Sequence, residues 1–138
     1  MRLIPYLNFD GNCREAFEFY AEALGGRLLG PPMTYGESPM VAQCPEAVHD
    51  RVMHVQLEAD GATLMGADGP AEFARRESAT CINVDVGSIE DAERIFAALS
   101  AGGRVDMPIG ETFWALRWGS LTDRYGKPWM VNCMKPMV

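Results

Sequence analysis

The chain has 138 residues and a net charge of −7, with 48% hydrophobic and 22% charged residues. That is enough for one domain with a real core, and the scattered Lys and Arg do not make the basic groove that a nucleic-acid backbone requires. No apolar run nears the roughly 18 to 20 residues of a membrane span, and "MRLIPYLNF" is too short for a signal peptide, so the expectation is a cytoplasmic protein with no membrane and no nucleic-acid partner.

In chain order, "LIPYLNF" reads as a short strand. Asn12 and Glu15 then have capping-box spacing, and Ala16, Phe17, Tyr20, Ala23 and Leu24 form one apolar helical stripe. Gly25-Gly26 supplies the left-handed stop. "RLLGPPMTY" follows as an edge strand. Residues 36–50 have no period and carry Pro39 and Pro45, the pattern of a long lid or interface loop. "RVMHVQLEADGATLMGAD" alternates about Asp60-Gly61, a hairpin turn. Residues 68–78 form a linker.

The plan then repeats. "CINVDV" is a strand, and Ser88 stands three residues before Asp91 as a helix cap. Ala92, Ile95, Phe96 and Leu99 make the stripe, and Gly102-Gly103 ends it. "RVDMPIGET" is the edge strand. "FWALRWGSLTDRYGKPWMVNCM" is the closing hairpin, turning at Tyr125-Gly126. Residues 1–138 thus make a single domain of two β-α-β-β-β modules, 1–68 and 79–138. A repeat of this length signals stacked copies of one unit. The predicted class is α+β, with both modules in one curved mixed sheet and the helices on its outer face. Cys13, Cys44, Cys81 and Cys133 show no C-x-x-C spacing and read as free thiols packed as small apolar groups.

Paired modules with "YLNFDGNCREAFEFY", "HDRVMHVQL", "LSAGGRV" and "ETFWALRWGSLTDRYGKPWMVN" resemble the vicinal-oxygen-chelate superfamily, which includes glyoxalase I, extradiol dioxygenases and bleomycin-resistance proteins. The match is nearest to its PhnB-like branch. The resemblance implies a glyoxalase/bleomycin-resistance fold whose sheet forms a cup, with metal ligands on the first and last strand of each module. Aligned on the helix and hairpin landmarks, those positions are Pro5, Met65, Cys81 and Met130. A divalent ion needs His, Glu or Gln there. No cofactor is therefore expected, and a divalent metal is left only to other ligands, with His54 central.

Strand alternation sorts the remaining side chains. Met53, Val55 and Leu57 are expected under a helix, with Val52, His54, Gln56 and Glu58 on the opposite face. Cys81, Asn83 and Asp85 are expected to face inward, as are Met130, Asn132 and Met134. Glu111, Phe113, Ala115 and Arg117 are set inward and Trp114, Leu116 and Trp118 in the core. The candidate catalytic residues are His54, Glu111 and Arg117. The candidate pocket adds Leu7, Gln56, Met65, Cys81, Asn83, Phe113, Met130 and Asn132, apolar groups with a few directional polar ones.

His54 reads as a structural histidine, an acid–base group with histidine's ordinary pKa of about 6.5, or a metal ligand. Arg117 reads as an anion contact or a surface or dimer ion pair, Glu111 as a base or a solvated carboxylate. Cys81 reads as a nucleophile only with a thiolate-stabilising neighbour. His49 falls in a solvated loop. Nothing in the chain resembles the Gly-rich loop of a dinucleotide-like cofactor site. Two functions fit. One is a binding protein that sequesters a small organic ligand in a metal-free cup. The other is a lyase-, isomerase- or dioxygenase-like enzyme using His54 and Glu111. A homodimer is expected, with residues 36–50 near its interface.

Overall fold

The structure is a computed structural model that describes residues 1–74 and 79–136. The opening strand β1 (Tyr6–Phe9) leads into helix α1 (Cys13–Leu24), whose stripe is buried as its period predicts: Ala16, Phe17, Tyr20 and Ala23 all lie inside. Phe9 closes on Phe17 edge-on at 6.1 Å between ring centres and lies 6.4 Å from Tyr20. α1 ends at Gly25, left-handed at φ 67°, and Gly26 N–H bonds back to Ala21 O at 2.8 Å. Gly26 is needed for another reason. A Cβ there would stand 2.5 Å from the Glu58 carbonyl oxygen.

The predicted first edge strand is broken. β2 (Arg27–Leu28) and β3 (Met33–Thr34) each pair with β4 (Val52–Ala59), and Gly30, at φ 76°, and Pro31-Pro32 interrupt them. Two prolines remove two ladder donors, so the strand cannot run through. β4 turns at Asp60-Gly61, both at positive φ as a primed turn requires, into β5 (Ala62–Asp68). The sheet order is β1-β5-β4-β2, with β3 also on β4, and β1 is parallel to β5.

Residues 36–50 are less irregular than their sequence suggests. They hold two short 3-10 turns, Val41–Gln43 and Glu46–Val48. Backbone bonds from Tyr35 N to Arg51 O and from Gly36 N to His49 O, both 3.0 Å, close the base of the loop. The linker contains one helical turn, α2 (Ala71–Ala74). Residues 75–78 of that linker lie outside the described residues.

The second copy repeats the plan with its own sheet. β6 (Ile82–Asp85) precedes α3 (Ile89–Ser100), β7 (Arg104–Gly110), β8 (Ala115–Thr122) and β9 (Pro128–Met134), in the order β6-β9-β8-β7 with β6 parallel to β9. Ser88 caps α3 by accepting Asp91 N–H at 3.1 Å. Gly103 repeats the logic of Gly26, since a Cβ there would stand 2.3 Å from Thr122 O. The chain divides into two compact units, Met1–Glu77 and Ser78–Val138. Each buries the apolar stripe of its helix against its own strands.

Candidate functional site

In each unit the helix covers one face of the sheet, and the register shows which residues take the other, open face. In the first unit a Cβ on Gly66 would meet the Phe17 ring at 2.5 Å, so Gly66 lies beneath α1. Val55 pairs with Gly66 and Leu57 with Leu64, which puts them on the helix side too. His54 and Gln56 therefore take the open face, with Met65 directly across from Gln56. Tyr6 pairs with Met65, and Met33 lies across from His54.

Leu7 differs from the expectation. It pairs with Gly66, and its same-face neighbour Phe9 packs on α1, so Leu7 is on the helix side. The residues that β1 gives to the open face are Tyr6 and Asn8. Alternation on so short a strand, broken at its start by Pro5, left the phase ambiguous. Tyr6 is 48% exposed. Its hydroxyl lies 3.4 Å from His54 Nδ1, with the rings 6.1 Å apart. Partial burial pushes the Tyr6 phenol above its ordinary pKa, with Cys13 and Tyr35 adding to the shift.

In the second unit Gly119 lies beneath Phe96 of α3 and pairs with Val131. Leu121 and Trp129 share that helix side, so Met130 and Asn132 take the open face, joined by Asn83 and Asp85 of β6. Asn132 Nδ2 donates to Asp85 Oδ1 at 3.3 Å. Asn132 is only 7% exposed, and its Oδ1 is buried with no hydrogen-bond partner among the described residues. Cys81 lies just before β6 and is partly exposed.

The β8 expectation is corrected at Arg117 and Trp118. A bulge between Ala115 and Arg117 inserts one residue, which reverses every later side chain. Arg117 thus turns toward α3, where its Nε donates to Glu93 Oε1 at 2.9 Å. Trp118, expected in the core, pairs with Asn132 on the open face and touches Trp114 edge-on at 5.8 Å. Phe113 meets Trp114 edge-on at 4.9 Å but stands 89% exposed in the β7–β8 loop, and Trp114, expected in the core, is exposed beside it. Glu111 is in the same loop. Its carboxylate accepts from Lys135 Nζ at 3.0 Å, and that bond holds its pKa below the usual carboxylate range.

The superfamily's metal positions can be compared with this register. The expected positions are Pro5, Met65, Cys81 and Met130. Met65 and Met130 do lie on the open face, but Tyr6 rather than Pro5 is the β1 residue paired with Met65, and Cys81 precedes β6, whose Asn83 pairs with Met130. Two thioethers with one phenol and one carboxamide, and no imidazole or carboxylate among the four, make a poor ligand set for a hard or borderline divalent ion. Among the described residues, no three His, Cys, Asp or Glu side chains gather closely enough to hold one. A polar cleft of about 330 Å³ lies elsewhere in the first unit, between Gly25–Arg27 and Glu58–Gly61. No helix among the described residues is long and apolar enough to cross a membrane.

Comparison with known proteins places this geometry. A family model described as 3-demethylubiquinone-9 3-methyltransferase matches residues 1–132. Protein YjdN of Escherichia coli (strain K12) is 34% identical, across 98% of this chain and 97% of its own. The crystal structure of protein PA1353 from Pseudomonas aeruginosa is 42% identical with a TM-score of 0.85, covering 99% of both chains. The PhnB protein from Bacillus cereus has a TM-score of 0.75 at 21% identity, covering 96% of this chain and 99% of its own. A glyoxalase/bleomycin resistance protein from Albidiferax ferrireducens T118 shares the fold at a TM-score of 0.59 and 13% identity, across 99% of each chain.

Proposed function

This chain belongs to the PhnB-like branch of the vicinal-oxygen-chelate superfamily, and from that premise we propose that it binds a small organic molecule without a metal at the superfamily's usual ligand positions. The observation that carries the reading is the composition of the first unit's open face. Tyr6, His54 and Gln56 supply directional polar groups there, and Met33 and Met65 supply flexible apolar surface. Thioethers adapt to irregular apolar ligands, and a few placed polar groups fix orientation. On the second unit Asn83, Asn132 and Met130 are a similar mixture. A small-molecule thermal-shift screen in metal-depleted buffer tests the reading. A ligand raises the melting temperature in proportion to RT ln(1 + [L]/Kd), and His54→Ala or Gln56→Ala lowers that shift. A panel that binds only after zinc, nickel or iron is added overturns it.

The family description names a methyltransferase. A dinucleotide-like cofactor needs a Gly-rich strand-to-helix loop. The turn between β1 and α1 here is Asp10-Gly11-Asn12, and the N–H groups of Gly11 and Cys13 already donate to Asp68.

The Tyr6–His54 contact favours a second reading, an enzyme in which His54 moves a proton on a small organic substrate. Glu111 contributes less to this chemistry, because a carboxylate held ionised by Lys135 is a weaker base. In this reading His54→Ala abolishes turnover and leaves Kd nearly unchanged. We also propose a cytoplasmic homodimer with residues 36–50 near its interface. The exposed Met40 and Val41 of that loop support this. Light scattering near 15.2 kDa, the mass of one chain, across micromolar concentrations would end that proposal.

A further inference from the structure

We propose that Tyr6 is a positioning residue for His54. By donating its hydroxyl proton to Nδ1, it holds the neutral imidazole in the Nε2–H tautomer, so that the open face of the first unit selects ligands with an acceptor oxygen on an apolar body. The inference rests on the binding reading above and adds the ligand class.

The argument begins with the 3.4 Å contact between Tyr6 Oη and His54 Nδ1. Two polarities are open to it. The phenol is a donor with a pKa of about 10, and neutral imidazole is the stronger base, with a conjugate-acid pKa of about 6.5. A phenol O–H is a stronger donor than an imidazole N–H, and an imidazole nitrogen a stronger acceptor than a phenol oxygen, so the favoured polarity runs from the Tyr6 hydroxyl to Nδ1. Partial burial favours the same neutral phenol. When one ring nitrogen accepts, the other carries the hydrogen. Nε2–H is then a donor on a face that includes Met33, Gln56 and Met65. A carbonyl or carboxylate oxygen satisfies a donor, and the two thioether side chains pack against a hydrocarbon body.

The chain has two histidines, which makes the tautomer directly readable. His49 supplies an internal standard. Its Nε2 lies 3.1 Å from the Cys44 carbonyl oxygen, which can only accept, so that nitrogen carries the proton. Long-range 1H–15N spectra at pH about 8, where an ordinary imidazole is neutral, distinguish pyridine-like from pyrrole-like nitrogens. His49→Gln identifies the His54 signals. The expected wild-type result is a pyridine-like Nδ1 and a pyrrole-like Nε2 at His54. In Tyr6→Phe both nitrogens move toward averaged shifts as the tautomers exchange. A proton on Nδ1 in the wild type, or identical His54 spectra in the two proteins, overturns the proposal. A proton on Nδ1 in the wild type overturns the proposal even if the variant does not fold.

A thermal-shift comparison of acetophenone and benzoate with acceptor-free ethylbenzene reads the ligand class. The oxygen-bearing probes are expected to raise the melting temperature more, and Tyr6→Phe is expected to weaken them by roughly two- to fivefold, because only part of the ring population then presents the donor. Equal shifts for all three probes overturn the ligand class. If nothing in the wider screen binds, the binding reading fails while the spectra still decide the tautomer, so the two failures are distinguishable.

Discussion

Two buried aspartates show how single residues hold the loops of this protein. Asp68 is 2% exposed. Its Oδ1 accepts the N–H groups of Gly11 at 2.8 Å and Cys13 at 3.1 Å, and its Oδ2 accepts Val52 N–H at 2.9 Å. One carboxylate thus ties the start of α1 and the start of β4 to the end of β5. Asp123 does the same for the last hairpin, accepting from Tyr125 N, Lys127 N and Trp129 Nε1. Stranding a buried donor costs about 1–3 kcal/mol, and bonds to a charged partner are the stronger kind. Asp68→Ala is therefore expected to lose roughly 3 kcal/mol or more in urea unfolding, with Asp68→Asn losing less. A loss near zero would mean that water replaces the carboxylate. Tyr35 adds a second residue-scale expectation. Its hydroxyl donates to Asp68 O at 2.8 Å, and burial, followed by the Asp68 charge, pushes its phenol above the ordinary value. Between pH of about 10 and the raised folded-state pKa, the unfolded chain has lost a proton that the folded chain keeps, so stability falls as pH rises through that window. Tyr35→Phe is expected to be less stable by about 1 kcal/mol at neutral pH and to show a shallower alkaline decline in denaturant midpoint.

The helices test how far local pattern reaches. Both were legible from stripe and stop, because a 3.6-residue period and a Gly-Gly pair have few other readings. Their caps looked alike in sequence and are not alike in structure. Ser88 accepts Asp91 N–H, whereas Asn12 makes no side-chain cap bond. At α1 the orphan Cys13 N–H goes to Asp68 instead. A residue 55 positions away satisfies a first-turn N–H of this helix, and no local spacing reports that. Ser88→Ala is accordingly expected to cost about 1 kcal/mol, and Asn12→Ala a few tenths. Equal losses in paired thermal melts would contradict the difference. The strands were legible less evenly. β4 was read in the correct phase because it is eight residues long and strictly alternating. β1 is four residues long, so Leu7 was assigned to the wrong face and Tyr6 was missed. β8 has a bulge after Ala115, and a bulge in mid-strand leaves period-2 reasoning one residue out beyond it, which is why Arg117 and Trp118 exchange faces.

At the scale of the whole chain, the internal repeat carried the fold, since two β-α-β-β-β copies leave few other arrangements for their apolar stripes. The repeat says less about chemistry, because function depends on the side chains placed on the fold. Those side chains give the last prediction. Tyr6 is paired with Met65 and Asn83 with Met130 on the open faces of the first and last strands, and only a phenol and a carboxamide among these four carry oxygen. Oxygen and nitrogen donors of the right charge make a site for zinc or iron; neutral thioethers are soft and weak toward such ions. The only histidine on these open faces, His54, has Nδ1 engaged by Tyr6. Metal bound to the folded state alone would raise stability by its occupancy. Dialysis against EDTA should therefore leave the melting temperature unchanged. Zinc, nickel or ferrous iron added at tenfold excess should leave less than a tenth of an equivalent bound after desalting. One tightly held equivalent, lost together with several degrees of melting temperature on chelation, would show instead that a ligand set outside these four positions has been assembled around His54.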